Sequence, residues 1–331
     1  MQYRTLGPDG LRVSAIGLGG RRLSDDHTET RGNDTRARAL VDHAIERGLT
    51  HIDTSDSYDD TRNESLFGRL LAGGKRQKMV IATKFGFVRH EDGGRSICGR
   101  PDYVPKACEA SLKRLQTDVI DLYYLHRVDP KVPIEDTVGA MARLKDEGKI
   151  RHIGLSEAGP ETLRRACRVA PIAALQSDYS LWTRDYEADT LPACKELGIG
   201  FVAYYPLGSG FLAGAIRRID ALAEDDSRRR QPRLQPENIG HNAALLEQLA
   251  AIAREKGCKL GQLALAWILA RGPDYVAIPG TSQIPHLDDN IAAADIALSA
   301  DDLARIDAIF PRDGAAAGAR VTQARLKELN R

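Results

Sequence analysis

The chain has 331 residues, 42% of them hydrophobic, enough to bury a large core in a single α/β domain over residues 1–331 and to exclude disorder as its main state. Its 47 Lys and Arg stand against 46 Asp and Glu, so no global charge draws it to nucleic acid, an anionic membrane or an acidic partner, and a small-molecule ligand is expected. Five scattered cysteines without a CxxC pair or a zinc-like Cys/His spacing read as reduced thiols, with no metal site. The start MQYRTLGPDG lacks an apolar leader and the longest apolar run, LALAWILA (263–270), is too short for a bilayer span, which together predict a soluble cytoplasmic protein. Oligomeric state is not legible in these features.

In chain order, QYRTLGPDGLRVS (2–14) reads as a β-hairpin turning at GPDG, placed to cover the bottom of a barrel. Strand patterns follow at SAIGLG (14–19), LTHIDT (49–54), MVIATK (79–84), VIDLYYLH (119–126), IRHIGLS (150–156), IAALQS (172–177), IGFVAYY (199–205) and DYVAIPG (274–280). Helical patterns lie between them at 35–48, 103–116, 134–148 and 244–257, several ending in glycine. Eight strands alternating with helices predict a (β/α)8 TIM barrel rather than an open doubly wound sheet. The polar segment from Leu207 to His241 is too long for a simple connection and is expected over the mouth. Its triple arginine, Arg228 to Arg230, sits beside Glu224, Asp225 and Asp226 and reads as a solvated, locally neutralised loop.

Three of these strands end in, or are followed by, an ionisable group. Asp53 closes the second, with Tyr58 just beyond it, while Lys84 closes the third and His126 the fourth. In such a barrel the carboxyl ends of the strands hold the site, so the four side chains are expected on one rim. An ammonium about 4 Å from a phenol favours the phenolate by roughly 4 kcal/mol at an effective dielectric of 20, about three pKa units. Lys84, held by Asp53, would thus make Tyr58 a general acid and base, and a neutral His126 could donate a hydrogen bond to a carbonyl oxygen. Taken singly, Asp53 and Lys84 also fit a structural ion pair, Tyr58 a packed aromatic and His126 a satisfied rim histidine. None of the four can deliver hydride, so a carbonyl reduction needs a cofactor.

The fingerprint GxGxxG is absent from any strand–turn–helix context, and GLGG (17–20) is a weak match, so a Rossmann site is unsupported. Glycine and hydroxyl residues gather instead after the seventh and eighth strands, in PLGSG (206–210) and PGTSQ (279–283), where this barrel type often places phosphates.

The chain resembles the aldo-keto reductases, in particular their long bacterial-type branch. The motifs that carry the resemblance are HIDTSDSY (51–58) with Asn63 and Glu64, TKFG (83–86), DLYYLHRVD (121–129), GKIRHIGLSE (148–157), LQSDYSLWTRD (175–185), GIGFVAYYPLGSGFLAG (198–214), IPGTSQIPHLDDN (278–290) and GAAAGAR (314–320). The resemblance implies a barrel that binds NADP(H) across its mouth and reduces aldehydes or ketones, with Tyr58 as proton donor, Lys84 and Asp53 tuning it and His126 orienting the carbonyl. It also implies that Ser156 and Gln176 hold the carboxamide and that Tyr204 stacks on the nicotinamide. Leu207, Gly208, Ser209 and Gly210 would cross the pyrophosphate, Gly280, Thr281 and Ser282 would meet the adenosine phosphate, and Asp289 and Asn290 would contact adenine.

Three positions depart from that pattern. Gly280 to Gln283 are uncharged where a lysine or arginine commonly faces the 2′-phosphate, leaving His286 as the nearby cation and NAD(H) as an alternative cofactor. Tyr205 stands where a small residue is common, and Arg21 and Arg22 follow the first strand where apolar residues are common; either arginine could bind an anionic group on substrate or cofactor. Trp182 fits either the substrate pocket or packing beneath its loop. Two rival functions remain open on sequence: a nicotinamide-binding sensor or regulatory subunit with slow turnover, and a barrel aldolase using Lys84 as Schiff-base nucleophile.

Overall fold

In the computed structural model, which describes residues 1–331 apart from 25–27, 29, 31, 91, 217, 323–325, 327 and 331, the chain opens with antiparallel strands β1 (Tyr3–Leu6) and β2 (Leu11–Ser14). Barrel strands β3 (Leu18–Gly19), β4 (His51–Asp53) and β5 (Val80–Phe85) follow. A small antiparallel hairpin, β6 (Phe87–Arg89) with β7 (Arg95–Ile97), rises from the end of β5. The barrel continues with β8 (Ile120–Leu125), β9 (Ile150–Ser156), β10 (Ile172–Asp178), β11 (Gly200–Tyr204) and β12 (Tyr275–Ala277). The eight barrel strands pair in parallel in chain order, and a bridge between Ile16 and Ala277 joins the last strand to the first. The fold is therefore the (β/α)8 barrel, with the hairpin in front of it.

Helices α1 (Asp34–Glu46), α2 (Arg62–Leu70), α3 (Val104–Leu115), α4 (Ile134–Asp146), α5 (Pro160–Cys167) and α6 (Thr190–Leu197) each follow one barrel strand. Between β11 and β12 lie α7 (Pro236–Glu255) and α8 (Leu260–Leu269); α9 (Ile284–Ala292) and α10 (Ala300–Ile309) follow β12.

Strand alternation divides the core in two. Ile81, Tyr123, Ile153, Leu155, Leu175 and Phe201 point outward into the layer between sheet and helices. Ala82, Leu122, Tyr124, Ala174, Val202 and Val276 point inward and fill the barrel with Leu6, Leu11 and Val13 of the hairpin. Gly200 lets the hairpin seat itself, because a Cβ there would lie 2.4 Å from Leu6 Cδ2. Gly154 makes room for the Tyr124 ring in the same way, at 2.4 Å. Since successive residues on one face are two apart, the inward face extends from Ala82 to Lys84, from Tyr124 to His126, from Gly154 to Ser156, from Ala174 to Gln176 and from Val202 to Tyr204. The same alternation that fills the barrel brings these polar side chains to its carboxyl end.

Three departures from the sequence expectation bear most on the fold. The first barrel strand is Leu18–Gly19 with the Ile16 bridge, because Ser14 is drawn into the hairpin opposite Tyr3. Helix α7 begins at Pro236, eight residues before the expected start, since proline's fixed φ suits a first turn while the polar stretch ENIGHN hides the helical period. The segment 86–102 holds the β6–β7 hairpin, which its short alternation did not reveal.

Candidate active site

At the carboxyl end of the barrel, Lys84 is 1% exposed and donates to Asp53 Oδ1 at 2.5 Å, to the Thr54 carbonyl at 2.8 Å and to Tyr58 Oη at 3.4 Å. Gln176 Nε2 donates to the other Asp53 oxygen at 2.7 Å. His126 lies with its ring centroid 6.1 Å from that of Tyr58. Asp53, Tyr58, Lys84 and His126 are thus one cluster, with Lys84 buried beneath Tyr58 and the other three on the cavity wall.

Burial alone would lower the Lys84 pKa, but Asp53 and Tyr58 outweigh it and hold the amine above its ordinary value and charged. Burial also raises the Tyr58 phenol, and Lys84 offsets this only in part. The expectation that Lys84 lowers the Tyr58 pKa below its ordinary value is therefore corrected, while its role as a proton donor is unaffected: the ammonium's hydrogen bonds to Asp53 and Thr54 are shorter than its contact with the phenol, which stays protonated. His126 is pushed well below 6.5, first by burial and then by Arg127, Lys84, Arg95 and Arg21, so it is neutral at pH 7. Its Nδ1 faces Ser55 Oγ at 3.1 Å and Ser57 Oγ at 3.4 Å. When either hydroxyl donates to Nδ1, the ring proton lies on Nε2, the nitrogen left for a ligand. Asp56 is pushed up to about 8, by burial and then by Glu64, and is a neutral acid at pH 7.

A cavity of about 1720 Å³ runs from this cluster to Asn290. Ser156 and Gln176 lie on its floor, and Ser156 Oγ accepts from Arg127 Nη1 at 3.2 Å. Tyr204 lines the wall and donates to Glu157 Oε1 at 2.8 Å. Leu207, Ser209 and Gly210 border it, while Gly208 is buried against Trp182, where a Cβ would lie 2.5 Å from Cζ2. Trp182 stacks on Phe211 at 4.8 Å and supports the loop from below; it does not line the cavity. Gly280, Thr281, Ser282, His286, Asp289 and Asn290 border the far end, with Asp289 paired to Lys259 at 2.8 Å. Arg21 and Arg22 part company: Arg21 donates to Tyr205 Oη at 2.9 Å, whereas the Arg22 side chain lies against Gly280.

Several residues that the sequence reading passed over also form this mouth. Arg228 is half-buried on the cavity wall, bonded to the Ser209 carbonyl at 3.5 Å and to Asp226 at 2.6 Å; the local neutralisation expected of the arginine run is present, but Arg228 itself is not on a solvated loop. Arg320 comes from the tail to bond Glu157 at 2.8 Å and Asp178 at 3.0 Å. Glu328 pairs with Arg95 at 2.6 Å, and Asn330 Oδ1 accepts from Thr162 at 2.7 Å, so these two tail residues are anchored at the rim. The motif GAAAGAR contained Arg320 but carried no hint of a partner 163 residues away.

A family model described as "Aldo/keto reductase family" matches residues 15–310. The thermostable aldo-keto reductase Tm1743, solved with the inhibitor epalrestat, is 31% identical, with 93% of this chain and 100% of that one covered and a TM-score of 0.74. The glycerol dehydrogenase AKR11B4 of Gluconobacter oxydans is 27% identical over 94% and 95%, with a TM-score of 0.85. The holo form of aldo-keto reductase AKR11C1 of Bacillus halodurans is 30% identical over 98% and 99%, with a TM-score of 0.77. The chain belongs to the aldo/keto reductase family of oxidoreductases, which use a nicotinamide cofactor.

Proposed function

We propose that this protein reduces an aldehyde or ketone to the alcohol with NADPH or NADH and catalyses the reverse oxidation at the same site. The observation that carries the reading is a phenol at the cavity surface backed at 3.4 Å by a buried ammonium that Asp53 keeps charged. The residues fit a dinucleotide: the cavity is long enough, and Gly210 and Gly280 on its wall leave backbone that a phosphate can approach closely. Ser156 and the free Oε1 of Gln176 would hold the carboxamide and Tyr204 the ring. Leu207, Ser209 and Gly210 with Arg228 would hold the pyrophosphate, with Gly208 packed behind them on Trp182, Gly280 to Ser282 with His286 the adenosine phosphate, and Asp289 and Asn290 the adenine.

When bound, the nicotinamide supplies the hydride and is oxidised as the carbonyl carbon is reduced. His126 donates its Nε2 proton as a hydrogen bond to the carbonyl oxygen and polarises it. As the π pair moves onto that oxygen, Tyr58 transfers its proton there and the alcohol forms. Lys84 stabilises the phenolate left behind, and Tyr58, half-exposed, regains a proton from solvent. Lys84 is a poor Schiff-base nucleophile, since it is buried, charged and spent on three hydrogen bonds. NADP(H) is the cofactor we assign, with Arg22 and His286 as the cations near the 2′-phosphate. We place the protein in the cytosol, where its five free cysteines stay reduced.

Titration of the purified protein with NADPH and separately with NADH, followed by nicotinamide fluorescence and then by addition of 4-nitrobenzaldehyde, tests the reading. Binding followed by steady oxidation that Tyr58→Phe abolishes is expected. Failure to bind either nucleotide overturns it, and one turnover without further cycles favours the sensor.

A further inference from the structure

The wall beside His126 is built from arginines of three separate elements. Phe87 packs edge-on against the His126 ring at 4.7 Å, and its own ring lies 4.7 Å from the Arg95 guanidinium and 5.9 Å from that of Arg127. Arg127 Nη1 donates to the His126 carbonyl at 2.6 Å and to Ser156 at 3.2 Å. Its Nε is buried and has no hydrogen-bond partner, and among the described residues Arg127 makes no ion pair. The carboxylates nearest in its field, Glu157 and Glu328, are already bonded to Arg320 and Arg95. Burial alone would lower the Arg127 pKa, but Tyr204, Glu157 and Glu328 outweigh it and keep the guanidinium charged, although among the described residues no carboxylate bonds it directly.

Across the opening, Arg21 reaches over to Tyr205, and its charge acts on both Tyr58 and His126. Asp59 is paired with Arg62 and Asp60 with Arg89, and Asp56 is neutral at pH 7. A neutral His126 adds no charge of its own, so it can still serve as a hydrogen-bond donor within a positive wall.

Resting on the carbonyl-reduction reading, we propose that the physiological substrate carries an acidic group, a carboxylate or phosphate, held between Arg127 and Arg21 while its carbonyl meets His126 and Tyr58. Arg95, exposed at the rim, draws such a substrate inward before contact. The anion gives Arg127 the direct ion pair that no carboxylate among the described residues makes with it, and the two arginines fix which end of the molecule enters.

The test uses matched aldehydes: succinic semialdehyde against butyraldehyde for a carboxylate, and glyceraldehyde 3-phosphate against glyceraldehyde for a phosphate. For at least one pair, kcat/KM of the charged member is expected to exceed that of the neutral one by about thirtyfold and to shrink as NaCl is raised. Arg127→Met and Arg21→Ala should each cut that ratio by about tenfold, and Arg127→Lys should restore part of it. The ratio is internal to each variant, so a general loss of activity does not imitate the effect, and the wild-type salt series stands even if a variant does not fold. Ratios near one in both pairs overturn the proposal while leaving carbonyl reduction intact. Ratios untouched by both substitutions overturn it too, reducing Arg127 to a brace for Ser156. Turnover of none of the four aldehydes with either nucleotide removes the underlying reading itself.

Discussion

The floor of the mouth and its rim are built on opposite terms. On the floor, Asp53, Lys84, Ser156 and Gln176 sit on strands, are at most 2% exposed and are hydrogen-bonded to one another or to their neighbours. At the rim, Arg21, Arg95, Tyr205 and Arg228 sit on loops and hairpins, exposed or half-buried, and reach across gaps of 19 to 233 residues in sequence for their partners. The difference assigns them different tasks. A floor fixed by the barrel's own packing can hold reacting groups to a fraction of an ångström, while a rim of loops can change what enters without disturbing them.

If that division holds, the largest effects come from the floor and from Tyr58, the loop residue that stands on Lys84. Lys84→Met strands the Asp53 carboxylate without its ion-pair partner and should cost about 3–5 kcal/mol of stability in a urea melt, with activity lost as well. Tyr58→Phe should lower kcat by about 10²–10⁴-fold yet leave nucleotide affinity and unfolding midpoint close to wild type. A nucleotide affinity that collapsed with it would mean the phenol is a binding group rather than the acid.

The next effect is a pH dependence at the edge of the floor. The folded-state pKa of Asp56 is raised to about 8 against an ordinary value of 3.8, so the folded protein binds more protons than the unfolded one between those values. Its contribution to stability is complete below about pH 4 and is lost as pH rises through 8. Asp56→Asn should therefore gain about 5 kcal/mol over wild type at pH 8 and almost nothing at pH 4, read from urea melts across that range. Equal gains at both pH values would mean that the carboxyl is ionised in the fold.

Rim substitutions should be milder. Arg228→Ala removes a cation beside the Ser209 carbonyl and should weaken both nucleotides by about threefold to tenfold in fluorescence titration. Arg89→Ala breaks an ion pair whose members are 63% and 56% exposed and should move stability by less than about 0.5 kcal/mol. A rim change that destabilised the protein as Lys84→Met does would erase the distinction between the two regions.

The floor was legible in the sequence because strand period and motif spacing act locally: LTHIDT, MVIATK and VIDLYYLH each carry the residue that ends on the inward face at, or just beyond, the carboxyl end. The rim was not, because its contacts are made by chain returning from far away. Nothing local to Arg320 announces Glu157 and Asp178, and nothing in the run RRR says that Arg228 turns inward onto Ser209. The balance of burial against charge was equally hidden. Spacing alone suggested that Lys84 would pull the Tyr58 pKa down, whereas the burial of the phenol and the short bonds of Lys84 to Asp53 and Thr54 leave it raised.

The central claim is that the floor moves a hydride from nicotinamide and a proton from Tyr58 onto one carbonyl. The most direct test is mass spectrometry of the alcohol formed from 4-nitrobenzaldehyde with a reduced nicotinamide cofactor dideuterated at its hydride-donating carbon. One deuterium on the carbinol carbon, in product that Tyr58→Phe scarcely makes, is the predicted result. Product carrying only protium at that carbon, or formed equally well without nucleotide, would contradict it.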